Sequence, residues 1–597
     1  MIMSSDQQRP PKMRIIRRIV IALALALVVL VLVSAWQATS AYRHLSAASE
    51  RLPQLREQMI SGDRAKLQDT FGAFQDDTVA ARRAMDGPNW WLFSQVPRLG
   101  PNVEAVQTVT EVVDDLAAGA FSDLVEANSI VDPADLRLVN RGIDLAPIQE
   151  ARPHLVAADR SVAAADARLD SVDRQRLVDR VRGPVADLSA QVRDLRSLTR
   201  DVADAARLLP PMLGGQGPRH YVVLVQNNAE PRALGGIPGS LILLRANDGR
   251  VAIVEQRPAA SFGGLGDLGE PVLPLSSAER ALFSGRFGRY VAKTTASPDF
   301  PRVAQLSQEM WRVATGRRVD GVISIDPVVL QLLLDATGPV TLPNGRRLTG
   351  ENAAQTLLNQ VYIDIPDPPA QDAFFARVTS AIFRQLTTGG VDVRTAGRAL
   401  TTATQQGRVL LWSSRAKEQA AFSDTAISGE LRGKDNASPV VGVYLNDAGS
   451  AKLAYYEDMD VEVSPSSCEP DGSRQFDVSV ILTSNVPKNV AQLPDYLTGG
   501  GRRFPVGNMR SDLLVYAPTD GAITSVRSAD GESPATTQTH DGLQVIAQRV
   551  TLSPGESVTM TYRIDSRAPL TGATKVRTTP GPTPDRFTVS VGQCPDE

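Results

Sequence analysis

The sequence predicts a multidomain chain with one N-terminal transmembrane helix, a helical bundle or stalk, an α/β sandwich with a mixed sheet, and a C-terminal β-sandwich. Three observations predict this order. An uncharged apolar run lies near the N-terminus, apolar residues at helical spacing follow it, and alternating strands and helices then give way to short strands alone. A length of 597 residues is enough for about four units.

Residues 15–36 are predicted to form the membrane-spanning helix. The run from Ile19 to Trp36 carries no charge, and with the isoleucines before it the run can cross the ~30 Å hydrocarbon layer. Basic residues crowd positions 9–18, whereas Arg43 is the first basic residue after the run. The positive-inside rule therefore places the tail, residues 1–14, in the cytoplasm and the bulk of the chain outside the cell membrane. The alternative is a cleaved signal peptide, but the apolar region of such a peptide is usually only about 7–15 residues long.

The region 37–209 is predicted to be helical and extracytoplasmic. Val185, Leu188 and Val192 recur at a spacing of three to four residues, with Asp and Arg on the other faces. Stripes of this kind form cores more often than interfaces, so no chemistry is assigned to them. A linker rich in Pro and Gly closes the region at 210–218.

An α/β domain is predicted over 219–435. His220–Gln226 is a β-branched run typical of a buried strand, and an Asp-Gly turn at 248–249 joins two further strands into a hairpin. A strand at 319–326 and a helix at 327–337 continue the alternation of strands and helices. This alternation argues for a mixed sheet covered by helices.

A β-sandwich is predicted over 440–597, where short strands are separated by Gly, Pro, Asn and Asp. Cys468 and Cys594 lie in this region and are the two cysteines of the chain. On the extracytoplasmic side an even count predicts one disulfide, which by closing so long a loop stabilises by roughly 4–5 kcal/mol. The alternative is a pair of buried free thiols.

Charge and composition exclude several classes of function. Lys plus Arg (63) nearly balances Asp plus Glu (66), and the net charge is −3, so no basic excess is available to neutralise nucleic-acid phosphates. Four His and two Cys argue against a dedicated zinc or haem site, and no metal ligands are predicted. The histidines are scattered, and the sequence contains neither a nucleophile elbow nor a Walker loop.

The densest polar segment, at 226–240, follows the first strand of the α/β domain. It supplies Asn227, Asn228, Glu230 and Arg232, together with glycines that permit close backbone approach. Ligands bind at strand ends in α/β folds, and arginine binds phosphate bidentately, so these residues are candidates for binding an anion or a sugar. The alternative is an irregular turn whose polar side chains satisfy backbone groups.

Two further residues are candidates for the same site. Arg257 ends the second strand of the hairpin, from where it can face the same crevice as Arg232. Asp299 precedes a helix, so it either holds a ligand or caps that helix, and Asp326 is most simply an N-cap. A buried guanidinium needs a carboxylate or a ligand, and Glu230 is the nearest carboxylate in sequence.

Four stretches of the chain are distinctive: YVVLVQNNAEPRALGGIPGS (221–240), SPDFPRVAQLSQEMW (297–311), GRRVDGVISIDPVVLQLLLDATGPV (316–340) and VYLNDAGSAKLAYY (443–456). Together they resemble a widespread bacterial family of membrane-anchored proteins that is classified as a domain of unknown function. The resemblance runs from about residue 88 to beyond residue 460. Genes of this family often lie near polysaccharide and cell-envelope loci, which implies a role in the envelope.

The α/β region also resembles, more remotely, the LytR-CpsA-Psr family of cell-wall ligases. Those enzymes transfer glycans from polyprenyl pyrophosphate carriers to peptidoglycan, using Mg²⁺ with Arg and Asp residues. The matching positions are Arg232, the strand from Pro238 to Leu244, and the strand end Glu255–Arg257.

Three departures from that family bear on the reaction. Gly239 stands where the family has a metal-binding Asp, Pro258 follows Arg257 where an Asp is expected, and only Arg377 corresponds to the later arginines of the family. These departures favour a shared fold over a shared reaction. The sequence leaves the cofactor open, and Mg²⁺ is implied only under the ligase alternative.

The sequence supports two hypotheses of function. The first is a non-enzymatic envelope protein that binds a glycan, a lipid-linked glycan or a partner protein through its α/β domain. The second is a LytR-CpsA-Psr-like phosphotransferase that attaches glycans from polyprenyl-pyrophosphate carriers to the cell wall, with Arg232 and Arg257 holding the pyrophosphate. The missing Asp disfavours the second hypothesis, because pyrophosphate transfer relies on a metal to neutralise charge.

Overall fold

The computed structural model describes residues 11–61, 64–131, 142–259, 266–342, 345–388, 393–449, 451–469, 471, 473–501, 504–534, 536–567, 570 and 572–594. The chain divides into two compact units. The helical unit is Met1–Leu136 with Leu145–Pro210, and the mixed unit is Arg137–Asp144 with Pro211–Glu597. Of the predicted cytoplasmic tail, residues 1–10 lie outside the described residues.

The helical unit is built from α-helices of 7 to 51 residues. They are α1 (Pro11–Ser61), α2 (Arg64–Met85), α3 (Pro88–Ser94), α4 (Gly100–Leu116), α5 (Ser122–Ile130), α6 (Ala146–Asp170) and α7 (Asp179–Met212). The predicted membrane span lies within α1, which runs on without a break into the predicted extracytoplasmic region. Within the described residues one segment is long and apolar enough to cross a membrane: Arg17–Leu55 contains an 18-residue window with a mean hydropathy of 3.0.

The apolar stripe predicted at Val185, Leu188 and Val192 lies in the core of the helical unit. Val112 and Leu116 of α4 pack against Val162 and Leu169 of α6 and Val192 of α7, and all five side chains are buried. A second cluster joins α1 to α2. The helical spacing of valine and leucine therefore specifies both the helices and the faces by which they pack.

The mixed unit begins with a five-stranded sheet in the order β3-β2-β1-β4-β7. Its strands are β1 (Arg219–Asn227), β2 (Ile237–Asn247), β3 (Arg250–Pro258), β4 (Gly321–Ile325) and β7 (Leu410–Ser413). Between β4 and β7 in sequence, β5 (Val340–Thr341) and β6 (Arg347–Leu348) form a separate small hairpin. β1 is parallel to β4 and antiparallel to β2. The sheet is therefore mixed, as predicted.

Helices cover this sheet, and the predicted Asp-Gly turn forms its hairpin. The α-helices that lie between β3 and β8 in the described sequence are α8 (Ser277–Phe283), α9 (Val291–Thr294), α10 (Phe300–Thr315), α11 (Pro327–Thr337), α12 (Ala353–Gln355), α13 (Val361–Asp364), α14 (Pro368–Thr388), α15 (Val393–Gln405) and α16 (Ala416–Phe422). Asp248 and Gly249 have φ of 50° and 74°, as the turn between two adjacent antiparallel strands requires. Leu224 and Leu241 of the sheet share a buried core with Trp311 of α10.

The C-terminal region contains two sheets with a common core. One has the order β14-β13-β17-β11-β10-β19 and the other the order β15-β16-β12-β9-β18, with β8 paired to β9. The elements are β8 (Lys434–Asp435), β9 (Ser438–Asp447), β10 (Glu457–Cys468), β11 (Arg474–Ser484), β12 (Met509–Tyr516), β13 (Ala522–Ser528), β14 (Gly531–Pro534), β15 (Gln538–His540), β16 (Leu543–Leu552), β17 (Ser557–Ser566), β18 (Lys575–Thr578) and β19 (Phe587–Val591), with a short helix α17 (Asp495–Thr498). Alternate residues of both sheets, such as Val443, Leu513 and Val480, fill the shared core.

The predicted disulfide is present, joining Cys468 at the end of β10 to Cys594 after β19, with Cα atoms 6.0 Å apart. β19 itself pairs in parallel with β10. The disulfide therefore fixes the C-terminal strand to the sheet that it joins.

The α/β and C-terminal regions belong to one compact unit because they share buried side chains. Tyr444, Tyr516 and Leu543 from the C-terminal sheets lie in the same apolar cluster as Phe283 and Trp311 from the helices over the first sheet. Each region thus covers apolar surface of the other, which explains why the chain is not divided between them.

Candidate functional site

The polar segment singled out from the sequence folds as the exit of β1 and the entry of β2. The Gln226 side chain hydrogen-bonds Ser324 on the neighbouring strand β4 and accepts the Gly236 N–H at 2.6 Å. Gly236 is so close to the Asn227 carbonyl that any Cβ would overlap it. The glycine therefore lets the chain fold back onto its own backbone.

Asn227 and Glu230 form a buried cluster with Lys452. Asn227 Nδ2 donates to Glu230 Oε2 and to the Tyr362 hydroxyl, both at 3.1 Å, and Glu230 forms an ion pair with Lys452. Lys452 Nζ also lies 4.9 Å from the ring centroids of Tyr362 and Tyr496. Burial alone would lower the pKa of Lys452, but the Glu230 carboxylate and the two tyrosines raise it. The lysine therefore stays charged among internal partners.

Asn228 belongs to a second buried cluster, at the end of β4. Its Nδ2 donates to Asp326 Oδ2 at 3.0 Å and to the Pro580 carbonyl at 3.1 Å. Asp326 caps α11 as predicted, accepting two backbone N–H groups at 3.0 Å, and it forms an ion pair of 2.6 Å with Arg408. This cluster ties the first sheet to the segment that precedes β19.

Arg232 is 2% exposed and finds its partners within the chain. Nη1 donates to the carbonyl oxygens of Pro231 at 2.9 Å and Asp447 at 2.6 Å, and it lies 3.9 Å from the Asp447 carboxylate. Burial lowers the pKa of Arg232 while Asp447 raises it, and burial raises the pKa of Asp447 to about 6 against the opposing charge of Arg232. Glu230, the nearest carboxylate in sequence, pairs with Lys452 instead.

Two more titratable groups lie near the Arg232–Asp447 pair. Burial, together with the nearby Asp447 carboxylate, raises the pKa of Glu457 to about 8. Burial also lowers the pKa of Lys293 to about 8, an effect to which Arg232 contributes. The groups around Arg232 are therefore perturbed chiefly by their removal from water.

The side chains of Arg257 and Asp299 have partners outside the polar segment. Arg257 pairs with Glu255 on its own strand, and its guanidinium lies 5.8 Å from the Trp311 ring centroid. Asp299 caps α10 by accepting the Arg302 N–H at 3.2 Å, and burial raises its pKa to about 6. Of the two roles considered for Asp299, the structure shows the cap.

The predicted residues are thus engaged with internal partners in several clusters. Asn227 contacts Glu230 directly, whereas Asn228 and Arg232 bond to other parts of the chain. A ligand role for these residues stays a prediction, and their observed bonds join the first sheet to the C-terminal region. Within the described residues no group of three or more His, Cys, Asp or Glu side chains is placed to hold a metal ion.

An open cleft of about 480 Å³ lies between α14 and the β5–β6 hairpin. Its lining residues are Thr341, Leu342, Ala376, Arg377, Ser380, Ala381 and Arg384. Arg377, Ser380 and Arg384 are three and four residues apart, so they share one face of α14. α14 also contacts the edge of the first sheet, where Gln256 lies 3.4 Å from the Thr379 hydroxyl.

A third arginine lies on the β5–β6 hairpin, opposite a residue that lines the cleft. Arg347 is exposed and lies directly opposite Thr341 in the β5–β6 pair. Directly opposed residues of an antiparallel pair project to the same side, so the Arg347 side chain is on the side of the hairpin that carries Thr341. The cleft therefore combines guanidinium groups and hydroxyls with apolar walls from Leu342 and Ala376.

Sequence reasoning missed the internal partners of the polar segment and most of the cleft. Lys452 and Asp447 lie 222 and 215 residues from the groups they bond, so no local pattern marks them as partners. In the sequence, only the remote family resemblance points to Arg377. The one available signal for the cleft was the spacing of Arg377, Ser380 and Arg384, three and four residues apart, which places them on one face if the segment is helical.

Fold and site define a protein with an apolar N-terminal helix, a helical unit, and a mixed α/β sheet joined to two further sheets. The model of a family described as "Protein of unknown function (DUF4012)" matches residues 216–362. This range covers β1 to β4, the polar segment and Arg347, and it ends before α14. No curated protein and no solved structure matches the chain.

Proposed function

We propose that the protein is a single-pass membrane protein of the cell envelope that binds a phosphate-bearing glycan, free or lipid-linked, outside the membrane. The observation that carries the proposal is the cleft between α14 and the β5–β6 hairpin, with Arg377 and Arg384 on one helix face. The proposed site therefore lies in the α/β region, as expected from the sequence, but beside α14 and not at the end of β1.

The chemistry of the cleft suits a phosphate attached to a sugar or a lipid. Arginine binds phosphate oxygens through two parallel N–H groups, and Arg347 adds a third guanidinium on the side of the hairpin that carries Thr341. Thr341 and Ser380 offer hydroxyls to a sugar, while Leu342 and Ala381 offer apolar surface. A volume of about 480 Å³ is within the range of small-molecule sites.

The N-terminus supports the proposed membrane anchorage and orientation. The window in Arg17–Leu55 is apolar enough to span a bilayer, and the basic residues before it favour a cytoplasmic N-terminus. The Cys468–Cys594 disulfide suits the oxidising, extracytoplasmic side. Both features support an extracytoplasmic location of the mixed unit, which is the side of the membrane where envelope glycans are found.

The alternative phosphotransferase, with a LytR-CpsA-Psr-like fold, stays a prediction. Under that hypothesis Arg232 and Arg257 hold one pyrophosphate. Arg232 is instead bonded to Asp447, and Arg257 to Glu255. No observation on these residues favours the reaction over simple binding, so we propose binding.

The proposal is tested by titrating the full chain, reconstituted in lipid nanodiscs, with farnesyl pyrophosphate in a calorimeter. Arg377→Gln removes one exposed guanidinium from the cleft, and Arg398→Gln removes one from α15 as the matched control. Hydrogen bonds of a charged group contribute about 1.5–3 kcal/mol, so we expect Kd to rise roughly 10- to 100-fold for Arg377→Gln and to stay unchanged for the control. Equal affinity of both variants, or no binding by the wild type, contradicts the proposal.

A further inference from the structure

The turn between α2 and α4 exposes an apolar surface at one end of the helical unit. This segment, Pro88–Leu99, is here called the interfacial corner. Trp91 is 64% exposed and Leu92 49% exposed, and Val96 and Leu99 are also exposed. Apolar side chains that are exposed side by side mark an interaction surface, whereas scattered ones do not.

The interfacial corner is fixed beside the end of the apolar run in α1. Asn89 Nδ2 donates to Ser34 Oγ at 2.9 Å and to Gln37 Oε1 at 2.7 Å. Trp90 packs inward against Ala41, so its neighbour Trp91 is left facing outward. Since the apolar run ends at Trp36, these contacts hold the corner at the level where α1 would leave the hydrocarbon layer.

The residues at this level are those that favour a membrane–water interface. Trp36 is 71% exposed, so it and Trp91 place two exposed indoles near the end of the span, and tryptophan is enriched at the headgroup level. Arg98 is exposed between Val96 and Leu99, where its guanidinium can reach lipid phosphates. The interfacial corner, next to the membrane anchor, therefore has the aromatic and basic residues that are typical of a membrane–water interface.

We propose that the interfacial corner inserts into the outer headgroup region of the same bilayer that α1 crosses, with Trp91 and Leu92 as the inserted side chains. The inference rests on the proposed membrane anchorage. A single helix alone leaves a protein free to tilt and rotate about its anchor. A second contact beside the helix exit fixes the orientation of the helical unit on the membrane.

The test uses the full chain in nanodiscs, with a nitroxide label on one introduced cysteine at a time. The two native cysteines are joined in a disulfide, so they do not take the label. Leu92→Cys reports on the corner and Val28→Cys on the middle of the span. Leu198→Cys is the matched control, because Leu198 is another exposed leucine of the helical unit.

Leu198 is expected to lie well away from the bilayer. Val185 of α7 packs beside Ala105, near the start of α4, and Val192 packs beside Val112 further along α4. α7 therefore runs away from the corner, and Leu198 lies about 20 Å beyond Val185 at 1.5 Å per residue. Paramagnetic relaxation by oxygen, which partitions into lipid, and by a water-soluble nickel chelate gives the depth of each label.

We expect the Leu92 label to report a depth at the headgroup–acyl boundary, the Val28 label a depth in the hydrocarbon, and the Leu198 label full exposure to nickel. A Leu92 label as exposed to nickel as the Leu198 label overturns the proposal and leaves the anchor intact. A Leu92 label shielded from both reagents, with dipolar broadening from a second label, also overturns it, since the corner would then contact another copy. A Val28 label exposed to nickel instead refutes the anchorage itself.

Discussion

Replacing Arg232 by alanine should destabilise the mixed unit without removing a ligand contact. The substitution deletes the hydrogen bonds to the carbonyls of Pro231 and Asp447 and the charge 3.9 Å from the Asp447 carboxylate. The carboxylate and the backbone carbonyl of Asp447 are then left buried without the Arg232 guanidinium. Breaking a buried ion pair from one side costs about 3–5 kcal/mol. For a unit of roughly 390 residues, an unfolding entropy of about 2.1 cal/mol/K per residue converts this loss into a fall in Tm of about 4–6 °C.

The assay is a thermal melt of the full chain, followed by near-UV circular dichroism, with Arg257→Ala as the control. Arg257 pairs with Glu255 at a partly exposed site, where an ion pair contributes at most about 1 kcal/mol, so its variant should melt about 1 °C lower or less. The double variant Arg232→Met/Asp447→Leu should recover much of the loss, because an apolar pair needs no charge compensation. If Arg232→Ala melts like the wild type but no longer binds farnesyl pyrophosphate, this reasoning is refuted. The ligand site would then lie at the end of β1.

Three further predictions concern Glu457, the disulfide and Arg384. In the folded protein Glu457 keeps its proton up to about pH 8, whereas in the unfolded chain it loses the proton near pH 4.5. Proton binding by Glu457 therefore stabilises the fold fully below pH 4.5, and this contribution is lost as the pH rises through 8. Melts of Glu457→Gln should therefore show a weaker fall in Tm between pH 5 and pH 9 than wild type, and parallel curves would contradict the assignment. Reducing Cys468–Cys594 should destabilise the C-terminal sheets by about 5 kcal/mol, given the 126-residue separation, and an unchanged urea midpoint after reduction would count against it. Arg384→Gln combined with Arg377→Gln should weaken farnesyl pyrophosphate binding further than Arg377→Gln alone, and an equal Kd for the two would show that Arg384 does not contact the probe.

The parts of the fold that are set by local patterns could be predicted from the sequence. The β-branched run that became β1, the Asp-Gly hairpin turn and the capping role of Asp326 each depend on residues close in sequence. The mixed sheet followed from the alternation of strands and helices. The disulfide followed from the count of two cysteines and from the extracytoplasmic side that was predicted for them.

The partners of the polar segment could not be predicted, because they depend on how distant segments pack. Arg232 was expected to find Glu230 or a ligand, yet Asp447 reaches it from the end of β9. Lys452 reaches Glu230 from the same C-terminal region. Since the buried charges select their partners by proximity in the folded protein, spacing in the sequence carries no information about them.

The location of the ligand site is tested most directly by hydrogen–deuterium exchange of the full chain in nanodiscs, with and without farnesyl pyrophosphate. We expect the probe to slow exchange in peptides that cover α14 and the β5–β6 hairpin, and to leave the peptide over 226–236 unchanged. Slower exchange confined to 226–236, with α14 unaffected, would contradict the central proposal and place the ligand at the end of β1.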